Sequence, residues 1–195
     1  MRELSMHIMD IAENSINAGA DLIQILVEEN RNKNLFSIHI VDNGKGMAKA
    51  LLEKAVDPFI TTRSTRRIGL GLSLLKEAAS LCSGTFSIDS REGSGTRVEA
   101  VFQYDHIDRA PLGDISGSLT TLIFGNPGID FRYSHRIDGK EFHFDTRELR
   151  GPGISLQDPE TINRLMLLVR SGIEELQSGK NTSITDGDNY GQTHH

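Results

Sequence analysis

Three glycine-rich turns follow, in one order, a helix that carries asparagines, and no other feature of this 195-residue chain constrains its fold as strongly. The turns are DNGKGM (Asp42 to Met47), GLGL (Gly69 to Leu72) and GSGT (Gly93 to Thr96); the helix ahead of them holds ENSINAGA (Glu13 to Ala20). One such turn marks a loop in most proteins. Three in this setting suggest a nucleotide site built from bared backbone amides, one carboxylate and one metal-binding amide.

The rest of the pattern supplies the elements that would hold such turns. Leu4, Ile8, Ile11 and Ser15 recur at helical spacing through Met1 to Ala18, with Gly19 as the C-cap. DLIQILVE (21–28) and LFSIHIVD (35–42) read as strands joined by the polar turn RNKN. Residues 48–55 read as a short helix, 57–68 as an irregular loop around Pro58, and 70–82 as a long helix closed by Ser83-Gly84. GTFSIDS (84–90) and TRVEAVFQ (96–103) read as strands flanking the third turn. Residues 105–117 have the composition of a linker, dividing a first region (1–104) from a small α+β region (118–177). That region reads as strands at 118–124, 129–137 and 141–146, with Asp138-Gly139 as a hairpin turn, and a helix at 159–177 capped by Asp158. The polar tail, 178–195, is expected to be disordered.

On the first helix Asp10 and Asn14 are four residues apart and share a face, with Asn17 close to it. An amide oxygen at Asn14 suits Mg²⁺, a hard cation that keeps several waters, and Asp10 is placed to accept a proton from water. A polar flank of a surface helix is the plain alternative. Asp42 ends a strand, where a carboxylate can accept from an exocyclic amine such as that of adenine. Gly44 and Gly46 would let a flat ring approach the backbone, although a tight turn alone would also explain them. GLGL opens a helix, whose free amides and dipole favour phosphate. The cluster Arg63, Arg66 and Arg67 fits either a solvated loop or a phosphate or partner contact.

Composition removes other classes. Net charge is −6 with no basic block, which disfavours direct nucleic-acid binding. No apolar run approaches the ~18 residues that cross a membrane, and the acidic start is not a signal peptide, so a cytoplasmic protein is expected. The single cysteine, Cys82, sits in an apolar helix and reads as core. His7, on the first helix, reads as buried or flanking. There is no GxxxxGK[ST], GxGxxG after a first strand, or HExxH.

The order of motifs resembles the ATP-binding domain shared by type II topoisomerases, heat-shock chaperones, histidine kinases and mismatch-repair proteins, the GHKL family. ENSINAGA is similar to its asparagine box in the mismatch-repair form, and DNGKGM to its first glycine box. DPFITTRS with GLGLSLLKE resembles the histidine-kinase lid and second glycine box; SREGSGTRVEAVF resembles the closing motif. The likeness spans about Met1 to Tyr104. It implies an α+β, two-layer sandwich of the Bergerat type, a mixed sheet with helices on one face. It also implies ATP and Mg²⁺ as cofactors. Asn14 would bind the metal, with Asn17 beside it. Asp42 would meet the adenine amine, flanked by Gly44, Gly46 and Met47, and Thr96 would lie near the base. Phe59 to Ile68 would form the lid, with Phe59, Thr61, Thr62 and Arg63 among its nucleotide contacts. Gly69, Leu70, Gly71 and Leu72 would face the phosphates.

Hydrolysing members of the family carry a glutamate four residues before the asparagine, where this chain has Asp10, shorter by one methylene. Nothing resembles the histidine-bearing dimerisation helices of a sensor kinase. The resemblance therefore implies a stand-alone ATP-binding protein, either a slow ATPase or a protein kinase acting in trans, with Asp10 as base. The alternative is a non-catalytic module whose lid senses ATP and controls a partner. A protein partner would meet residues 118–177, and a homodimer is an open expectation.

Overall fold

Alternation of apolar residues at period two fixes which face of each strand is buried, and one continuous sheet results. The computed structural model describes residues 3–55, 70–149 and 155–178. Its elements run α1 (Leu4–Asn17), β1 (Leu22–Asn30), β2 (Leu35–Asp42), α2 (Lys49–Ala55), α3 (Leu70–Leu81), β3 (Thr85–Ser90) and β4 (Thr96–Gln103). They continue with α4 (Ile115–Gly125), β5 (Asp130–Ile137), β6 (Lys140–Asp145), α5 (Thr146–Leu149) and α6 (Pro159–Ser178). The sheet order is β3-β4-β2-β1-β5-β6. Among the described residues only β1 and β5 pair in parallel, so the sheet is mixed.

Registered pairs carry the core across the strands. Phe36 faces Phe102, Ile40 faces Val98 and also Ile25, and Ile25 faces Tyr133, which faces Phe144. All of these are buried beneath the helices. Their neighbours on the other face, such as Gln24, His39, Arg97 and Arg132, are half-buried or exposed. The expected two-layer α+β architecture is therefore present, with helices over one face. At the β1–β5 seam the buried polar groups satisfy one another. Tyr133 Oη lies 2.9 Å from His135 Nδ1, and His135 Nε2 lies 3.0 Å from Glu29 Oε1. A proton on Nε2 satisfies both contacts.

Residues 118–124, expected as a strand, lie instead within helix α4. The run LTTLI, with its β-branched residues, favours a strand locally, yet the buried Ile115, Leu119, Leu122 and Ile123 of α4 recur at helical spacing. Asp114 caps the helix by accepting from Gly117 N at 2.9 Å. The threonine hydroxyls donate back along the helix, Thr120 to Ser116 O and Thr121 to Gly117 O. The stretch read as a linker is an ordered part of the fold. Its Pro111 and Leu112 carbonyls accept from Leu4 N and Ser5 N, satisfying free amides of α1. Arg109 lays its guanidinium 4.8 Å from the Phe36 ring centre. Beyond it, β5 and β6 extend the same sheet from β1.

On the described residues the other local expectations stand close to what is observed, while the loop expected at 57–68 lies outside them. The β5–β6 turn places Asp138 at φ 49° and Gly139 at φ 88°, the left-handed pair of a two-residue hairpin. Asp158 Oδ2 accepts from Thr161 N at 2.9 Å at the start of α6. Cys82 and His7 are both buried. The expected tail lies outside the described residues beyond Ser178.

Candidate nucleotide-binding site

The site begins where β2 ends. Asp42 is the last residue of the strand, on its buried face, and its carboxylate is held from three sides. Oδ1 accepts from Gly44 N at 2.9 Å and from Thr96 N at 3.2 Å; Oδ2 accepts from the Ser15 hydroxyl at 2.7 Å. A carboxylate offers about four lone-pair directions, so three such bonds leave one acceptor position for a ligand. Ser15 reaches Asp42 because it lies four residues beyond Ile11 on the core face of α1.

Asp42 lies at the bottom of a pocket between α1, the glycine loop, α2, α3 and the ends of β2 and β4. Ile11, Ile40, Leu51, Leu72, Val98 and Met47 form its apolar walls. Asn14, Asn17, Lys45, Asp42 and Thr96 supply polar groups. Aliphatic walls with a few convergent polar groups are what a flat heteroaromatic ligand requires. Of the residues singled out from sequence, Asn14, Asn17, Asp42, Gly46, Met47, Leu72 and Thr96 line this one pocket.

Gly44, Gly71 and Asp10 are placed differently. A Cβ on Gly44 would meet the Ala18 carbonyl at 3.0 Å, so the loop packs against the end of α1. Gly46 is more tightly held: its φ is +64° and a Cβ would lie 1.9 Å from the Arg91 carbonyl oxygen. The chain's own backbone thus requires glycine here, whatever the ligand does. A Cβ on Gly71 would lie 3.0 Å from Asp10 Cβ and 3.8 Å from Asn14 Nδ2, so the second glycine motif seats α3 on the Asp10–Asn14 face. Asp10 is half-buried at this contact. Burial, and then the nearby Glu13 charge, push its carboxyl above the ordinary aspartate range. Leu70 opens α3. Phe59, Thr61, Thr62, Arg63 and Gly69 lie outside the described residues.

The third glycine turn closes over the first. Gly93 N donates to Lys45 O at 2.7 Å, and Met47 N donates to the Ser90 hydroxyl at 2.9 Å. A Cβ on Gly95 would lie 2.0 Å from Asp42 O. Sequence reasoning missed Ser15, Ser90, Lys45 and Leu51. Ser15 had a signal in its position within ENS on the core stripe; Ser90 had only its place as first residue of SREGSGTRVEAVF, which marks no role for its hydroxyl. Among the described residues no group of three or more His, Cys, Asp or Glu could hold a metal ion. A cation here would depend on Asn14 together with ligand oxygens.

Residues 2–106 match the family model described as histidine kinase-, DNA gyrase B-, and HSP90-like ATPase. The chain is 34% identical over 107 residues to the tetrathionate sensor histidine kinase TtrS of Salmonella typhimurium, covering 53% of this chain and 18% of that protein. It is also 34% identical over 85 residues to the sensor histidine kinase YvrG of Bacillus subtilis, covering 42% of this chain and 14% of that one. The matched part is thus less than a fifth of the length of these curated relatives. Among solved structures, the N-terminal domain of a DNA repair protein aligns at a TM-score of 0.50 with 18% identity, covering 73% of this chain and 52% of that one. With the family model spanning more than half of its length, the chain belongs to the histidine kinase-, DNA gyrase B-, and HSP90-like ATPase family.

Proposed function

We propose that the chain binds ATP with Mg²⁺ and either hydrolyses it slowly or transfers its terminal phosphoryl group to a protein in trans. The observation that carries this reading is the Asp42 carboxylate, fixed by Ser15, Gly44 and Thr96 and set among aliphatic walls. Its remaining acceptor position suits the adenine amine, and the walls suit the faces of the ring. Asn14 would hold Mg²⁺, which when bound neutralises phosphate charge and orients the phosphates. Gly71, seated on Asp10 and Asn14, brings the start of α3 to the same place, where free amides and the helix dipole favour phosphate.

Asp10 is the group available to take a proton from an attacking water or hydroxyl. Its raised pKa brings it closer to neutral pH, which improves a carboxylate as a base. A second reading, an ATP sensor without turnover, is favoured by one observation: Asp10 does not line the pocket in which Asn14 stands. In that reading nucleotide binding changes the face offered to a partner.

We further propose a cytoplasmic setting and a protein partner for the half beyond residue 118. No helix among the described residues is long and apolar enough to cross a membrane. Phe124 on α4 and Leu167 on α6 are each about half exposed. The deciding experiment is calorimetric titration with ATP, ADP and GTP, with Mg²⁺ and with chelator, followed by a phosphate-release assay. Binding of ATP over GTP, strengthened by Mg²⁺, is expected; absence of ATP binding would refute the reading. Turnover above background separates the enzyme from the sensor.

A further inference from the structure

Ser90 does not line the pocket, yet its hydroxyl touches both sides of the clamp that forms the pocket. It is buried at the end of β3. Met47 N donates to Ser90 Oγ at 2.9 Å, Ser90 Oγ stands 3.1 Å from the Gly95 carbonyl, and it stands 2.9 Å from Thr96 Oγ1. Met47 and Thr96 line the pocket, and Thr96 N also bonds Asp42.

A serine hydroxyl has one proton and two lone pairs. If Ser90 donates to Gly95 O, it can accept from both Met47 N and the Thr96 hydroxyl, and all three contacts become hydrogen bonds. If Ser90 donates to Thr96 instead, one of its own lone pairs is idle. Gly95 O is then left with only the long 3.4 Å bond from Arg91 N. An unmade hydrogen bond at a buried group costs more than a made one returns, so the first arrangement is preferred. In it the Thr96 proton points away from the pocket, and Thr96 offers only lone pairs beside the Asp42 carboxylate.

We propose that Ser90 is a positioning residue that sets the direction of the Thr96 hydroxyl, making this corner of the pocket an acceptor-only surface that selects a ring bearing an amine over one bearing a carbonyl. The inference rests on the adenine-nucleotide reading and adds to it a residue, outside the pocket, that governs base choice. Without Ser90, the Thr96 hydroxyl is free to rotate and can donate to a carbonyl.

The test measures the affinities of ATP and inosine triphosphate, which carries a carbonyl in place of the six-amino group, for the whole chain and for Ser90→Ala. The wild type is expected to prefer ATP, and the ATP-to-ITP preference should fall roughly five- to tenfold in Ser90→Ala, as for one hydrogen bond. In a Thr96→Val background, adding Ser90→Ala should leave the preference unmoved. If Ser90→Ala does not fold, Ser90→Cys, which keeps the side-chain shape and weakens its bonds, carries the same comparison. A purely structural role would weaken both nucleotides equally, and an unchanged ratio overturns the proposal while ATP binding itself stands. A wild type that binds neither nucleotide overturns the adenine reading as well.

Discussion

The Ser15 hydroxyl donates to Asp42 Oδ2 at 2.7 Å, joining the core face of α1 to the end of β2 at the bottom of the pocket. This contact joins residues 27 apart in sequence and fixes the carboxylate that, in the proposed reading, meets the base. Asp42→Asn should weaken ATP by on the order of 1.5–3 kcal/mol, because an amide can turn a donor toward the adenine amine. Ser15→Ala should cost less, about 1 kcal/mol, since Gly44 N and Thr96 N still hold the other oxygen. Calorimetry on both variants checks the order, and an unaltered Asp42→Asn affinity would remove the adenine contact.

Asn14→Ala should weaken Mg-ATP by roughly tenfold or more relative to metal-free ATP, as for loss of a group that supports a metal. The measurement is affinity with Mg²⁺ and with chelator. Equal losses in the two conditions would assign Asn14 to the fold, where its side chain already stands 3.8 Å from the Cβ position of Gly71.

Asp10→Asn should lower turnover by roughly 10²–10⁴ while ATP still binds, the range for removal of a general base. Phosphate release at saturating Mg-ATP decides it. Wild-type turnover that survives the substitution excludes Asp10 as base, and no wild-type turnover, with candidate protein substrates included, leaves the sensor reading.

His7 should make the fold acid-sensitive. It is buried, its Nδ1 has no hydrogen-bond partner among the described residues, and burial pulls its pKa from 6.5 to about 4. The folded state therefore favours neutral imidazole, while the unfolded chain takes up a proton near pH 6.5. Stability from this group is complete above about pH 6.5 and falls as pH drops toward 4, by on the order of 3 kcal/mol in total. Urea denaturation of wild type and His7→Leu between pH 7 and 4 tests this: the variant should lose much of the slope. Identical slopes would show that other groups carry the acid response.

Gly46→Ala should destabilise by clearly more than Gly93→Ala. Both glycines have positive φ, but a Cβ at Gly46 meets the Arg91 carbonyl at 1.9 Å, whereas one at Gly93 meets nothing within 4 Å. The Gly93 change should cost about 1 kcal/mol of left-handed strain; the Gly46 change adds a backbone collision between the two glycine turns. Denaturant midpoints of the two variants make the comparison, and equal midpoints would mean that the turns separate without cost.

Elements governed by short-range chemistry were legible in the sequence. The stripe Leu4, Ile8, Ile11 made α1 a helix, alternation made β1, β2 and β4 strands, and Asp138-Gly139 could serve a two-residue turn because both residues tolerate left-handed φ. The ordered motifs likewise singled out Asn14, Asp42 and Thr96, which line one pocket. What the tertiary structure alone decided depends on partners distant in the chain. Local propensity made 118–124 a strand, and burial of Leu119, Leu122 and Ile123, together with the Asp114 cap, made it a helix. Nothing local announced that β5 would pair in parallel with β1 more than a hundred residues earlier, since backbone hydrogen bonds carry no sequence label. Ser15 and Ser90 stood within the motifs with no role marked for their hydroxyls, for the same reason: a hydroxyl acquires its role only when folding brings Asp42 to one and Met47 and Thr96 to the other.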